Sequence, residues 1–117
     1  MERVVRAALI QATLCEDATA PTDKIKKAMT DKHVDLIAKA ASEGAKVLCL
    51  QELFYGPYFP AEQNTRWYEM TEPIPDGPTT KLMQGLAKKH GMVMVVPVYE
   101  EDMTGVYYNS AAVIDAD

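Results

Sequence analysis

Glu52 is the residue of this chain best placed to do chemistry. It ends the apolar run Val47-Leu48-Cys49-Leu50-Gln51 and opens the aromatic stretch Leu53-Phe54-Tyr55-Gly56-Pro57-Tyr58-Phe59-Pro60. A strand that delivers a carboxylate to a sheet edge beneath an apolar loop shields it from water. Shielding disfavours the anion, raises the pKa and fits the group to take a proton near neutral pH. Glu52 then reads as a general base. The competing reading is a carboxylate that caps a loop or pairs with a lysine, because structural ion pairs also perturb carboxylates. Tyr55, Tyr58 and Phe59 line a substrate pocket in the first reading and pack the loop in the second.

The other reactive side chains offer less. Asn109, within Tyr107-Tyr108-Asn109-Ser110, is a polar residue in a strand pattern, suited to hold a loop by hydrogen bonds or to meet a substrate. Cys49 alternates with Leu48 and Leu50 and reads as a buried strand residue, and Cys15 follows a strand in a loop. Either could be a nucleophile only with a base nearby. His33 and His90 are far apart in helical patterns, so no metal site is expected; His90 suits the negative end of a helix. Glu100-Glu101-Asp102 reads as a solvated hairpin tip, with a place for Glu100 beside a substrate as the alternative. There is no glycine-rich phosphate loop and no serine elbow, hence no support for a nucleotide cofactor.

The elements that must position these residues follow from periodicity. Val4–Thr13 is apolar with little alternation, which predicts a strand covered on both faces. A helix is predicted from an Asp23 cap to Gly44, with Ile25, Met29, His33, Leu36, Ile37, Ala40 and Ala41 on one face. Thr30-Asp31 is a candidate break in it. Ala45–Gln51 is the second strand. Leu53–Pro78 is a long loop rich in proline and aromatics, and a loop of that length usually has a function. Within it Glu62–Met70 can carry a short helix with Trp67 inward. Pro78 opens a helix with Leu82, Met83, Leu86 and Ala87 on its apolar face, stopped by Gly91. Met92–Tyr99 is a third strand, whose Pro97 implies an edge or an irregularity. Glu100–Gly105 is a turn and Val106–Ile114 a fourth strand. The order β-α-β-α-β-β predicts an α/β fold with parallel neighbours and a terminal hairpin.

Bulk properties narrow the class. The 117 residues suit one domain, and the 48% hydrophobic and 25% charged fractions are those of an ordinary globular protein. A net charge of −5 argues against nucleic acid or an anionic membrane as partner. Lys24-Ile25-Lys26-Lys27 and Lys88-Lys89 read as solvated helix faces. No apolar run approaches the roughly 20 residues of a membrane span. Met1–Arg6 runs straight into a strand pattern without a secretory layout, so a cytoplasmic location is expected.

Four pieces together resemble the nitrilase superfamily, the carbon–nitrogen hydrolases. They are Arg6–Ala12, Gly44–Phe54, Asp76-Gly77-Pro78-Thr79 and Val106–Ile114, in order and in register along nearly the whole chain. Gly56-Pro57-Tyr58-Phe59 and Pro75–Thr80 look most like the β-ureidopropionase and N-carbamoylputrescine amidase branch. The resemblance implies that residues 1–117 are the N-terminal half of a four-layer α-β-β-α sandwich. It implies one domain, incomplete at its C-terminal end, with one sheet face left open. It implies a Glu, Lys and Cys mechanism on an N-carbamoyl amine, an N-carbamoyl amino acid or a simple amide. Glu52 matches the family base. The Lys, the Cys and a second Glu match nothing here and are expected beyond Asp117. No metal or organic cofactor is implied, and a homo-oligomer is. The alternative is a non-catalytic fragment or interaction module of the same fold.

Overall fold

The computed structural model describes residues 3–117, so Met1 and Glu2 of the opening segment lie outside the described residues. The element order is β1 (Ala7–Ile10), α1 (Thr22–Ser42), β2 (Val47–Leu50), two 3₁₀ turns (Phe59–Ala61 and Thr65–Met70), α2 (Pro78–His90), β3 (Val93–Met103) and β4 (Val106–Ile114). The strands form one sheet in the order β1-β2-β3-β4. β1, β2 and β3 are mutually parallel, and β4 returns antiparallel to β3. The expected α/β order is therefore present.

Strand periodicity decides what each face meets. Ala8, Leu48, Met94 and Ile114 form one row across the four strands. That row, with Ile10, Leu50, Val96 and Val98, packs against Ile25, Met29 and Ile37 of α1 and Met83, Leu86 and Ala87 of α2. Two crossovers of one hand, stepping in one direction, put both helices on the same face. The adjacent row, Leu9, Cys49, Val95 and Val113, lies on the opposite face, where no described residue forms a second layer. Leu9 is 84% and Val113 73% exposed. Two-sided cover was expected for the first strand; only one side is covered here, and the strand is shorter than Val4–Thr13.

α1 runs unbroken through Thr30-Asp31, and Lys27 bridges to Asp31 at 2.5 Å one turn on. Its cap position is Pro21; Asp23 lies in the first turn, where its charge suits the helix dipole. Gly44, at φ +87°, ends the helix: its N–H reaches Ala41 O and the Ala45 N–H reaches Ala40 O. Gly91 stops α2 in the same left-handed conformation.

β3 continues through Glu100-Glu101-Asp102, which were expected in a turn; the reversal is at Thr104-Gly105. Two partners prolong it. β4 pairs with it as far as Met103, and Glu72 forms a parallel bridge to Glu100 on the other side. Pro97 fits because the β2 ladder ends at Cys49–Val95. The N–H groups of Tyr99 and Glu101, in phase with Pro97, point away from β4. Proline's missing donor thus falls just beyond the β2 ladder.

Candidate active site

Three local features place Glu52. First, the Gln51 side chain grips the Ala12 backbone from both sides: it accepts from the Ala12 N–H at 2.5 Å and donates to Ala12 O at 3.0 Å. This holds the exits of β1 and β2 together past their last ladder pair. Second, Leu53 turns the chain at φ +51°, a left-handed conformation uncommon for a bulky residue and often found at functional sites. Third, Asn109, on β4, donates its amide Nδ2 to Glu52 Oε1 at 2.5 Å. Glu52 therefore stands at the carboxyl end of a parallel strand, where open α/β sheets bind ligands.

The expected shielding of Glu52 is not supplied by these residues, since the side chain is exposed. The turn at Leu53 explains this. It sends Leu53, Phe54 and Tyr55 into the core, at 3%, 0% and 2% exposure, instead of over the carboxylate. Among the described residues Asn109 alone hydrogen-bonds the Glu52 carboxylate, so Oε2 is free to accept a proton.

The other predicted site residues separate. Tyr55 packs the loop: its hydroxyl donates to Met70 O at 3.0 Å and accepts from the Tyr99 N–H at 3.1 Å. Burial holds its phenol well above the ordinary value, with Glu72 adding to the effect, so it stays protonated. Tyr58 is exposed on the surface. Phe59 is half-buried, stacked on Trp67 with centroids 6.1 Å apart and tilted against Tyr99 at 4.7 Å. Trp67 is inward, as expected, in the 3₁₀ turn Thr65–Met70. Glu100 is drawn off to the helix-covered side, accepting from the Ser110 hydroxyl at 2.5 Å. Cys49 faces the open side half-buried and is not enclosed in the core as expected; Cys15 is exposed, 3.4 Å from the Met29 sulfur.

An ion pair went unrecognised in the sequence. Glu72, 3% exposed, lies 2.5 Å from Lys26 Nζ. It also accepts from the Thr79 N–H at 2.7 Å and from the Thr79 hydroxyl, satisfying the first turn of α2. Lys26 further donates to Met70 O at 3.2 Å and stands over the Tyr55 ring at 4.5 Å. It was expected on a solvated face; its position beside the Ile25–Met29 stripe was the available signal. Also unrecognised was an aromatic row. From Phe59 it continues through Tyr99 to Tyr107 at 5.8 Å and to Tyr68, stacked on Tyr107 at 4.5 Å. Tyr99 lies across the ladder from Asn109, so this row flanks the Glu52–Asn109 pair.

His33 lies beneath the site, fully buried. Its Nδ1 donates to Met29 O at 2.7 Å, and its ring meets Phe54 edge-on at 4.9 Å. Nε2 has no partner. Burial pushes its pKa below the ordinary imidazole value, keeping the ring neutral.

Comparison with known proteins gives a consistent picture. Residues 6–117 match the family described as carbon-nitrogen hydrolase. A β-ureidopropionase of Arabidopsis thaliana is 40% identical over 114 residues, which are 96% of this chain and 28% of that protein. An N-carbamoylputrescine amidase of Solanum lycopersicum is 34% identical over 115 residues, 98% of this chain and 35% of its own length. The chain thus spans about a third of the curated relatives it matches. The crystal structure of a carbon–nitrogen hydrolase from Helicobacter pylori G27 superimposes with a TM-score of 0.81 at 23% identity, covering 97% of this chain and 36% of that one. The fold is therefore that of the same group.

Proposed function

The chain belongs to the carbon–nitrogen hydrolase family, and from that premise we propose that the protein hydrolyses the C–N bond of an N-carbamoyl amine or N-carbamoyl amino acid with Glu52 as general base. The observation that carries this reading is the Glu52–Asn109 pair. Two residues 57 apart in sequence are joined at the carboxyl end of β2, on the open side of the sheet. The amide holds one carboxylate oxygen and leaves the other for proton transfer.

In the proposed reaction Glu52 takes the proton of a cysteine thiol, and the thiolate attacks the carbamoyl carbon. A lysine stabilises the developing oxyanion. The amine leaves, and Glu52 then activates water to hydrolyse the thioester. For a ureido substrate the products are the amine, carbon dioxide and ammonia. The thiol and the lysine are supplied by sequence following Asp117, and the same sequence covers the open sheet face and shields Glu52. A metal or organic cofactor takes no part in this scheme.

Ammonia release from a ureido acid and a ureido amine, assayed with the 117 residues and with the chain continued past Asp117, tests the proposal. The continued chain is expected to turn over one of them and the 117 residues neither. Hydrolysis by the 117 residues alone would refute the assignment of the nucleophile.

A further inference from the structure

We propose that the cavity walled in part by Tyr99, the ladder partner of Asn109, receives a primary ammonium group, so that the substrate is a ureido amine in preference to a ureido acid. This rests on the reading of Glu52 as the catalytic base.

The cavity measures about 280 Å³, and its walls include Phe59, Glu62, Trp67, Tyr68 and Tyr99. Among the described residues no lysine, arginine or histidine lines it. Of those residues Glu62 is the one charged side chain in its wall; it is exposed to solvent, and Trp67 donates its indole N–H to Glu62 Oε2 at 3.3 Å and Asn64 donates to Oε1 at 3.4 Å. The neighbouring cation, Arg66, is already committed. Its guanidinium packs on the Trp67 ring at 4.5 Å and donates to the carbonyls of Ala18 and Ala20.

A carboxylate entering this space meets aromatic rings and the Glu62 anion, with no cationic side chain among the described residues of the wall and the nearby Arg66 guanidinium already packed on Trp67. An ammonium group meets attraction from both. The location fits a substrate that reaches between two points. Tyr99 forms part of the cavity wall and is paired across the β3–β4 ladder with Asn109, which binds Glu52. A ureido amine would present its carbamoyl carbon to Glu52 and its ammonium group to Glu62.

Trp67 is the single tryptophan of the chain, and its indole is bonded to Glu62, so its fluorescence reports on the cavity directly. The test titrates the protein with n-butylammonium and with butanoate at constant ionic strength. A saturable change is expected with n-butylammonium and none with butanoate over the same range. Glu62→Gln is expected to weaken n-butylammonium by about tenfold, the loss of one charge-assisted bond. Tyr68→Leu, at an exposed position, is expected to weaken it several-fold, the loss of one π face. Circular dichroism of both variants checks that the fold is kept. Butanoate binding as well as n-butylammonium, no saturable response to n-butylammonium, or Glu62→Gln binding it like the parent would each overturn the proposal. None of these readouts involves turnover, so a failure here is distinct from a failure of Glu52 as base.

Discussion

Lys26 Nζ lies 2.5 Å from Glu72 Oε2, and the Glu72 side chain is all but withdrawn from solvent. The pair joins α1 to the loop before α2, and the same carboxylate satisfies the first turn of α2 through Thr79. Breaking a buried pair from one side leaves an uncompensated charge and orphaned donors. Glu72→Ala is therefore expected to cost about 3–5 kcal/mol of folding stability. Lys26→Met alone is also destabilising. The double change Lys26→Met with Glu72→Leu should lose less than the two single losses added together, because no charge is left unpaired. Urea denaturation of the parent, the two single variants and the double variant measures this; strict additivity would show that the pair is not coupled.

Gly77 is required by the same arrangement. A methyl group there would lie 2.8 Å from Glu72 Oε1 and closer still to the Pro73 carbonyl oxygen. The obstacle is backbone, which cannot swing aside. Gly77→Ala is expected to cost about 1–3 kcal/mol as an overpacking change. Gly85 serves as control, because a methyl group added there would meet none of the described residues within 4 Å. Gly85→Ala, inside α2, should stabilise by up to about 1 kcal/mol. Thermal midpoints of the two variants should move in opposite directions.

His33 makes stability fall on mild acidification. Its folded pKa lies below the ordinary 6.5, so the unfolded chain binds a proton that the folded chain refuses. Its contribution is present above about pH 6.5 and is lost as the pH falls through that value toward the lower folded pKa. His33→Leu is expected to flatten the dependence of the urea midpoint on pH between about 6.5 and 5, above the range in which most carboxylates titrate. An unchanged slope would place the acid sensitivity elsewhere.

The sequence revealed elements through local patterning and hid what depends on distant partners. The β-α-β-α-β-β order, the Gly44 and Gly91 stops and the inward Trp67 were all legible from periodicity and glycine placement. The full length of β3 was not. Its acidic end is a strand because Glu72 and β4 pair with it, and nothing near Glu100 in sequence announces those partners. Lys26 misled for the same reason: on the helix it belongs to a basic run, while its partner lies in a distant loop. At the site, the end of β2 was legible as the place for Glu52, and the strand setting of Asn109 was noted. Their contact was not foreseen, because it depends on the pairing of β4 beside β3. The exposure of Glu52 was hidden by the turn at Leu53, since leucine gives no warning of a positive φ.

Asn109 should tune the base without replacing it. Asn109→Leu removes the donor to Glu52 Oε1 at an exposed position where folding has little at stake. In a catalytically active form of the protein, kcat is expected to fall by roughly ten- to a hundredfold, the effect of losing a charge-assisted hydrogen bond of about 1.5–3 kcal/mol. Asn109→Asp, which sets two anions against each other, should raise the apparent pKa of the base in the kcat/KM profile. A profile identical to the parent's would remove Asn109 from the account.

The most direct measurement is turnover of a ureido substrate by Glu52→Gln, in the chain continued past Asp117, with circular dichroism alongside. Glutamine keeps the shape and can still meet Asn109, but it cannot carry a proton away from a thiol. The account predicts ammonia release reduced to background with the fold intact. Turnover at the parent's rate would contradict it and return Glu52 to a structural role.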